Sequence, residues 1–564
     1  MTYRSSSFGV MLAACIVLTV SLLDCGGSDP AGNGHDGRQP HPSPAPESEL
    51  ARSAVFATAG DAETTIDLSA QGPGPFSLVD SPSTFSLKGN LLTISHDDPI
   101  HERANILIGN DGSTTTVWNA TQPIDGPSFP LSVDGHWLRD ASGVPWNLNG
   151  SSPWGLVVQI DREDASLYLS DRHEKAVNGI LMRILEHRFS DNDPPSTNIY
   201  GETPFDGTLK TGEEDFTSPN PKYWQHVDWI IREAYRYGIT VFAVPAYVGY
   251  QLGNQGWSEA ISHNGPDRMA EYGEFLAERY ENYPNIVWVM CGDNGPKRSS
   301  EDITVEVNAF AEAIRSKDSV HLMTAHGGRH NSATDVYDHK WLDFESSYSA
   351  DDDVHVEVRT DREQIPVTPT FLIEAYYGNE HGLTDHDLRV QMWQAVLGGG
   401  FGHFYGNAPT WYFNARIAED EHNFPDQSGL DWKEELDSFG AQYLENVAAV
   451  QRIRDLAVLE PDYNHEVLRS GYDPGGGEDK DYAPVMHDEQ VLVAYLPTRR
   501  PVQIDTTAFT PGSYRIVWYN PRSGSHQSAA EQVFPIPEAM ELTPPQQGDW
   551  VLLIDNKERD LPLP

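Results

Sequence analysis

Cysteine is nearly absent from this chain. Three occur in 564 residues, and two of them, Cys15 and Cys25, lie near the N-terminus. Cys291 therefore stands alone in the body, where no internal disulfide can form. Basic charge is also scarce: 38 Lys and Arg against 84 Asp and Glu give a formal net charge of −46. Such a surface repels phosphate backbones and anionic membranes, which excludes nucleic acid as a partner. Long apolar runs are limited to Phe8–Leu23, too short for a comfortable membrane span. There is no H-E-x-x-H motif, no G-x-S-x-G elbow and no Walker or dinucleotide fingerprint. These absences remove the zinc-hydrolase, serine-hydrolase and nucleotide-dependent classes. The chemistry requires no cofactor and no metal, although the acidic Ser349–Asp353 segment is a candidate loop for a structural calcium.

Several kinds of region are present. Arg4 and the apolar Phe8–Leu23 run read as an export signal over residues 1–24. Cys25 follows, then Gly26-Gly-Ser28 and a Pro/Gly/Ser-rich tether over 25–50. An apolar run ending at Cys looks like a bacterial lipoprotein signal, with Cys25 as the lipidated residue and membrane attachment through it. Asp24 departs from that pattern, and plain secretion is the alternative; either places the protein outside the cytoplasm. Residues 51–125 read as a β-sandwich of short runs, with a hairpin around Asn110-Asp-Gly112. Residues 126–455 alternate strands with amphipathic helices, the pattern of a parallel sheet. The candidate strands are Pro145–Asn149, Gly179–Leu185, Ile239–Pro245, Ile286–Cys291, Val320–Thr324, Leu342–Ser346, Thr370–Glu374 and Phe401–Tyr405. Eight such units predict a (β/α)₈ TIM barrel. Residues 456–564 return to antiparallel β, a second sandwich. The fold class is thus α/β, a barrel between two β domains, with no internal repeat.

In a (β/α)₈ barrel the working residues gather at the C-terminal ends of the strands. Asp293 ends the fourth and Glu374 the seventh, so both carboxyl groups point into one cleft. Two facing carboxyls, one acid and one nucleophile, are what retaining glycoside hydrolysis needs, at a separation of ~5–5.5 Å. Asp293 is assigned as acid/base and Glu374 as nucleophile; Glu186, Glu345 and Glu380 are rivals of Glu374 that serve equally as salt-bridge partners. Sugar rings offer CH faces to aromatic side chains and hydroxyls to polar ones. Trp154, Glu186, His187, Tyr247, Asn294, His326, Tyr376, His403, Tyr405 and Trp411 are the candidate substrate-binding set. The three histidines also fit a supporting role, and Asp343 with Glu345 more naturally buttresses the barrel.

Several passages carry a family resemblance. They are Asp134-Gly-His-Trp-Leu-Arg-Asp-Ala-Ser-Gly-Val-Pro145, Tyr223-Trp-Gln-His-Val-Asp-Trp229 and Arg279-Tyr-Glu-Asn-Tyr-Pro-Asn-Ile-Val-Trp288, with Gly292-Asp-Asn294, His321-Leu-Met-Thr324 and Gly400-Phe-Gly-His-Phe-Tyr-Gly406. Together they resemble the apiosidase-like glycoside hydrolases, in the large clan of retaining (β/α)₈ hydrolases. The resemblance implies an acid/base at the Asp of the Gly-Asp segment and a nucleophile at the Glu ending the seventh strand, which fall on Asp293 and Glu374. Ile373 and Ala375 flank Glu374 where relatives carry Gly and Pro, and Cys291-Gly-Asp replaces Gly-Gly-Asp, so the pocket floor differs. The last domain resembles the small one that follows such barrels and carries a collagen-binding label. The expected activity is cleavage of side chains in plant or microbial polysaccharides. The alternatives are a glycosidase of the same clan acting on another sugar, and a carbohydrate-binding or adhesion protein with an inactive barrel.

Overall fold

The computed structural model describes residues 126–564 except 299–300, 338–339, 350–352, 416–429, 477–479 and 538, and before them 16–20, 54–55, 63–67, 76–79, 85–89, 91–95, 103–108 and 113–118. Cys25, the tether and the centre of the Ser349–Asp353 loop lie outside the described residues. The chain divides into two compact units. One comprises residues 1–126 with 279–283; the other comprises 127–278 and 284–564. In the first, antiparallel strands form sheets of five and three, and Arg103–Ile108 pairs with Ser113–Trp118, the expected Asn110-Asp-Gly112 turn between them lying outside the described residues.

The second unit is built on eight parallel strands: β1 Leu148–Ser151, β2 Gly179–Arg183, β3 Thr240–Val244, β4 Ile286–Cys291, β5 Leu322–His326, β6 Ser347–Tyr348, β7 Leu372–Glu374 and β8 Gly402–Tyr405. β2, β3 and β4 are buried along their whole length, which is why they read as unbroken apolar runs rather than alternating ones. Their order is β5-β4-β3-β2-β1-β8-β7-β6. The seam closes where the Asp343 N–H donates to the Met323 carbonyl at 2.8 Å and the Ser346 hydroxyl to the Ala325 carbonyl. A TIM barrel results.

Two strands sit elsewhere than expected. Pro145–Trp146 pairs with Trp137–Arg139 in a separate three-stranded sheet, so β1 starts at Leu148. The sixth strand shows regular pairing only at Ser347–Tyr348, because upstream N–H groups alternate between neighbours: Asp343 bonds Met323, whereas Glu345 bonds Pro369. Between β3 and β4, Ser258–Tyr280 comprises two helices that meet at a kink, where Gly265 takes a non-helical φ of 71° before Pro266.

The outer helices carry their own start signals. Pro221–Arg236 begins with Asn220 accepting from the Lys222 N–H and Pro at its first position, and buries Trp224, Val227, Ile231 and Ala234. Asp385–Leu397 opens on a Thr384/Asp387 capping box. The barrel interior is filled with rings: Phe242 against Phe404 at 5.0 Å and Phe371 against Phe401 at 5.1 Å between centroids. Gly150 is required here, since a Cβ would fall 2.2 Å from the Phe404 ring.

After the barrel, a six-stranded antiparallel sheet and a three-stranded one enclose a core that includes Leu492, Leu552, Ile554 and Trp518. This domain is joined to barrel helices by buried ion pairs. Arg389 grips Asp549 with two bonds of 2.7 and 3.0 Å, and Arg454 does the same to Asp555. Among the described residues no helix is long and apolar enough to cross a membrane.

Candidate active site

At the end of β4 the backbone turns sharply. Cys291, Gly292 and Asp293 take φ of 67°, 136° and 56° in succession, a conformation that costs energy for the two non-glycine residues. Only glycine fits the middle position, because a Cβ there would lie 2.4 Å from the Tyr247 ring. That close approach brings the Tyr247 hydroxyl to Asp293 Oδ2 at 2.6 Å, while Tyr348, from the end of β6, donates to Oδ1 at 2.9 Å. Burial first, then the Asp293 charge, holds both phenols well above their ordinary pKa, so they remain donors. Cys291 is buried, its thiol pushed up to about 12 by desolvation, and has no reactive character.

His326 ends β5 and is wholly buried between the two acids. Its Nδ1 accepts from the Asp293 N–H at 3.3 Å and lies 3.0 Å from the Gly327 carbonyl; its Nε2 is 2.7 Å from Glu374 Oε2. Burial opposes protonation of this ring, but the Glu374 carboxylate and, behind it, Asp293 outweigh burial and raise its pKa. In the neutral tautomer Nδ1 accepts from Asp293; in the cation it donates to Gly327. Both forms leave an Nε2–H donating to Glu374. Tyr377 adds a hydroxyl contact to Glu374 and accepts from Trp154 Nε1 at 2.7 Å.

These groups open on a pocket of about 250 Å³. Trp154, Tyr247, Tyr376 and Trp411 line it together with Asp293 and Glu374. The other expected binding residues lie outside the lining. Glu186 is 1 % exposed, pairs with Arg183 at 2.9 Å and accepts the N–H groups of His187, Arg188 and Phe189. His187 packs edge-on against Trp257. Asn294 ties down two loops, donating to the Gly249 carbonyl and accepting from Arg298. His403 is buried in the barrel wall, where desolvation drives its pKa to about 3, and Tyr405 contacts Ser438. His326 is a support for the acids rather than part of the wall. Among the rivals of Glu374, Glu345 accepts from the Thr334 N–H, and Glu380 lines the pocket.

The binding set expected from sequence did not include Arg183, Tyr348, Tyr377, Glu380 or Arg329, all of which line this pocket. Arg183 ends β2 with its guanidinium 4.7 Å from the Tyr247 ring and 5.1 Å from Trp154. Arg183 closes β2 and Tyr348 closes β6, while Tyr377 lies three residues past β7, all on the face of the barrel where the strand ends gather. Arg329 sits beyond β5, its Nε donating to the Tyr348 hydroxyl at 3.3 Å.

Residues 132–457 match the model of a family described as "Apiosidase-like, catalytic domain". Residues 473–555 match one described as "Putative collagen-binding domain of a collagenase". Among solved structures, a glycoside hydrolase is similar at 22 % identity and a TM-score of 0.64, over 77 % of this chain and 97 % of its own. A glycoside hydrolase family 5 structure from Bacteroides vulgatus is similar at 24 % identity and a TM-score of 0.65, over 76 % and 94 %. Both speak to the fold. No curated protein sequence matches the chain.

Proposed function

This chain belongs to the apiosidase-like family of glycoside hydrolases, and from that premise we propose that it is an exported retaining glycosidase. Its substrates are side chains of plant or microbial polysaccharides. The observation that carries the reading is the Asp293–His326–Glu374 arrangement at the base of a ring-lined pocket. Fixing Oε2 of Glu374 by an Nε2–H supports its role as nucleophile, because the carboxylate is held in one orientation at the base of the pocket. Asp293 protonates the leaving oxygen and then takes the proton of the attacking water. The two tyrosine hydroxyls suit both of its proton states, since a phenol donates to a carboxylate and accepts from a carboxylic acid. Aromatic rings around the pocket would stack on the sugar and exclude water.

Cys25 is proposed as the lipid anchor on the strength of the apolar run and tether alone. The C-terminal sheets serve as a support of the barrel, a reading favoured by the buried Arg389–Asp549 and Arg454–Asp555 pairs.

Screening aryl glycosides and pectic side-chain oligosaccharides with Asp293→Ala and Glu374→Ala tests the mechanism. Each change should lower turnover by about 10²–10⁴-fold. Azide should rescue Glu374→Ala with a glycosyl azide of inverted configuration. Unchanged turnover in either variant would remove the pair, and a product of inverted anomeric configuration from the wild type would remove retention.

A further inference from the structure

Glu380 is a third carboxyl in the pocket, and the two-acid mechanism gives it nothing to do. It lies six positions beyond Glu374, on the loop after β7, and is 7 % exposed. Its Oε1 accepts from Trp411 Nε1 at 2.7 Å. Its other oxygen has no partner among the described residues and opens on the pocket that Glu380 and Trp411 both line. A carboxyl so deeply buried normally has each oxygen satisfied, by a charge partner or by hydrogen bonds. Among the described residues no cation bonds it: Arg183, which lines the same pocket, is paired with Glu186, and Arg329 bonds Tyr348. Burial and the nearby Glu374 charge push its pKa up to about 7 against the opposing Trp411 bond, and in the ionised form the free oxygen can only accept. A sugar hydroxyl that donates to it supplies the missing bond.

We propose that Glu380 is a sugar-binding residue, its free oxygen hydrogen-bonded to a hydroxyl of the ring seated against Trp411. The pair then works as one unit: the indole presents its face to the CH side of the sugar, and the carboxyl that fixes the indole edge reads one hydroxyl. A site built to bond a hydroxyl rejects an analogue lacking it far more strongly than an apolar wall does. Glu380 is in this way a determinant of which sugar the enzyme accepts. The inference rests on the glycosidase reading above.

The test uses the full chain and two variants, Glu380→Gln and Glu380→Ala, with 4-nitrophenyl β-D-xyloside, β-D-glucoside, β-D-mannoside and β-D-apioside. Cleavage is read as kcat and KM separately, and binding of the corresponding free sugars by calorimetry. Gln can still accept from Trp411 through its amide oxygen but turns an NH₂ towards the pocket. A purely structural Glu380 therefore predicts Glu380→Gln equal to wild type. The proposal instead predicts a loss in kcat/KM of about 10- to 100-fold in both variants, the worth of one hydrogen bond to a charged group. It further predicts that one monodeoxy version of the accepted glycoside costs the wild type that same factor and costs Glu380→Gln nothing more. Wild-type kinetics in Glu380→Gln, or equal sensitivity of all three proteins to every monodeoxy substrate, overturns it. Sugars that bind without being cleaved, and bind more weakly to the variants, would sustain the role of Glu380 while removing the hydrolase reading. A wild type that neither binds nor cleaves any of the four overturns both.

Discussion

His326 Nε2 lies 2.7 Å from Glu374 Oε2, and Nδ1 of the same ring receives the Asp293 N–H at 3.3 Å, so one fully buried imidazole sets the position of both acids. His326→Ala should lower kcat by about 10²-fold, the cost of letting a reacting group drift by an ångström. His326→Gln, which can still donate to the carboxylate, should recover part of it. Steady-state kinetics on the two variants decides; equal activity of Ala and wild type would refute the linkage.

The same contact makes stability depend on pH. His326 has a folded pKa raised above its ordinary 6.5. Its contribution is therefore fully present below 6.5 and is lost as pH rises through the folded value. The stability difference between wild type and His326→Gln should shrink across that window above 6.5. Chemical denaturation at a series of pH values measures it.

Tyr247 and Tyr348 each hold one oxygen of Asp293. Tyr247→Phe and Tyr348→Phe should each lower kcat/KM about 10-fold, consistent with the loss of one hydrogen bond to a charged group. Unchanged kcat/KM in both variants would mean that the tyrosines do not govern Asp293.

Asp361 is buried under β6, where it accepts from the Ser347 hydroxyl. Desolvation drives its pKa up to about 8, with Glu345 and Glu357 adding repulsion against the effect of its hydroxyl bonds. A raised carboxyl favours the folded state only while protonated, so its contribution is complete below the ordinary 3.8 and is lost as pH rises through about 8. Asp361→Asn should thus melt higher than wild type at pH 9 and the advantage should shrink towards pH 4. Thermal melts at the two pH values check the sign.

Arg389 and Asp549 tie the barrel to the C-terminal sheets with side chains 6 % and 0 % exposed. Arg389→Ala leaves Asp549 with the Arg522 guanidinium at 3.2 Å and the Tyr495 hydroxyl at 3.0 Å, and should cost about 1.5–3 kcal/mol for the lost charged hydrogen bonds. Because the interface is this closely bonded, barrel and C-terminal domain should unfold in one calorimetric transition. Two separate transitions in the wild type would show that the domains are independent.

How far the sequence alone reached depends on the range of the interaction. β3 and β4 were legible because burial on both faces leaves an unbroken apolar run, and Asp293 and Glu374 because the strand ends of this barrel share one face. Pro145–Trp146 was misplaced because an apolar pair after a turn reads the same whether it enters the barrel or pairs with Trp137–Arg139. Glu186 looked like a site residue by position, yet its place next to Arg183 turns it inward.

The chain's order of apolar runs, caps and turns thus determined the eight-strand architecture, its β companions and the two carboxyls, since each is set by periodicity or by neighbours in sequence. The pocket itself was decided only by tertiary structure. Trp154 meets Tyr377 across 223 residues, Tyr348 meets Asp293 across 55, and Trp411 meets Glu380 across 31. No local pattern encodes such meetings, because barrel closure, and not the properties of either partner, brings those side chains within hydrogen-bond reach.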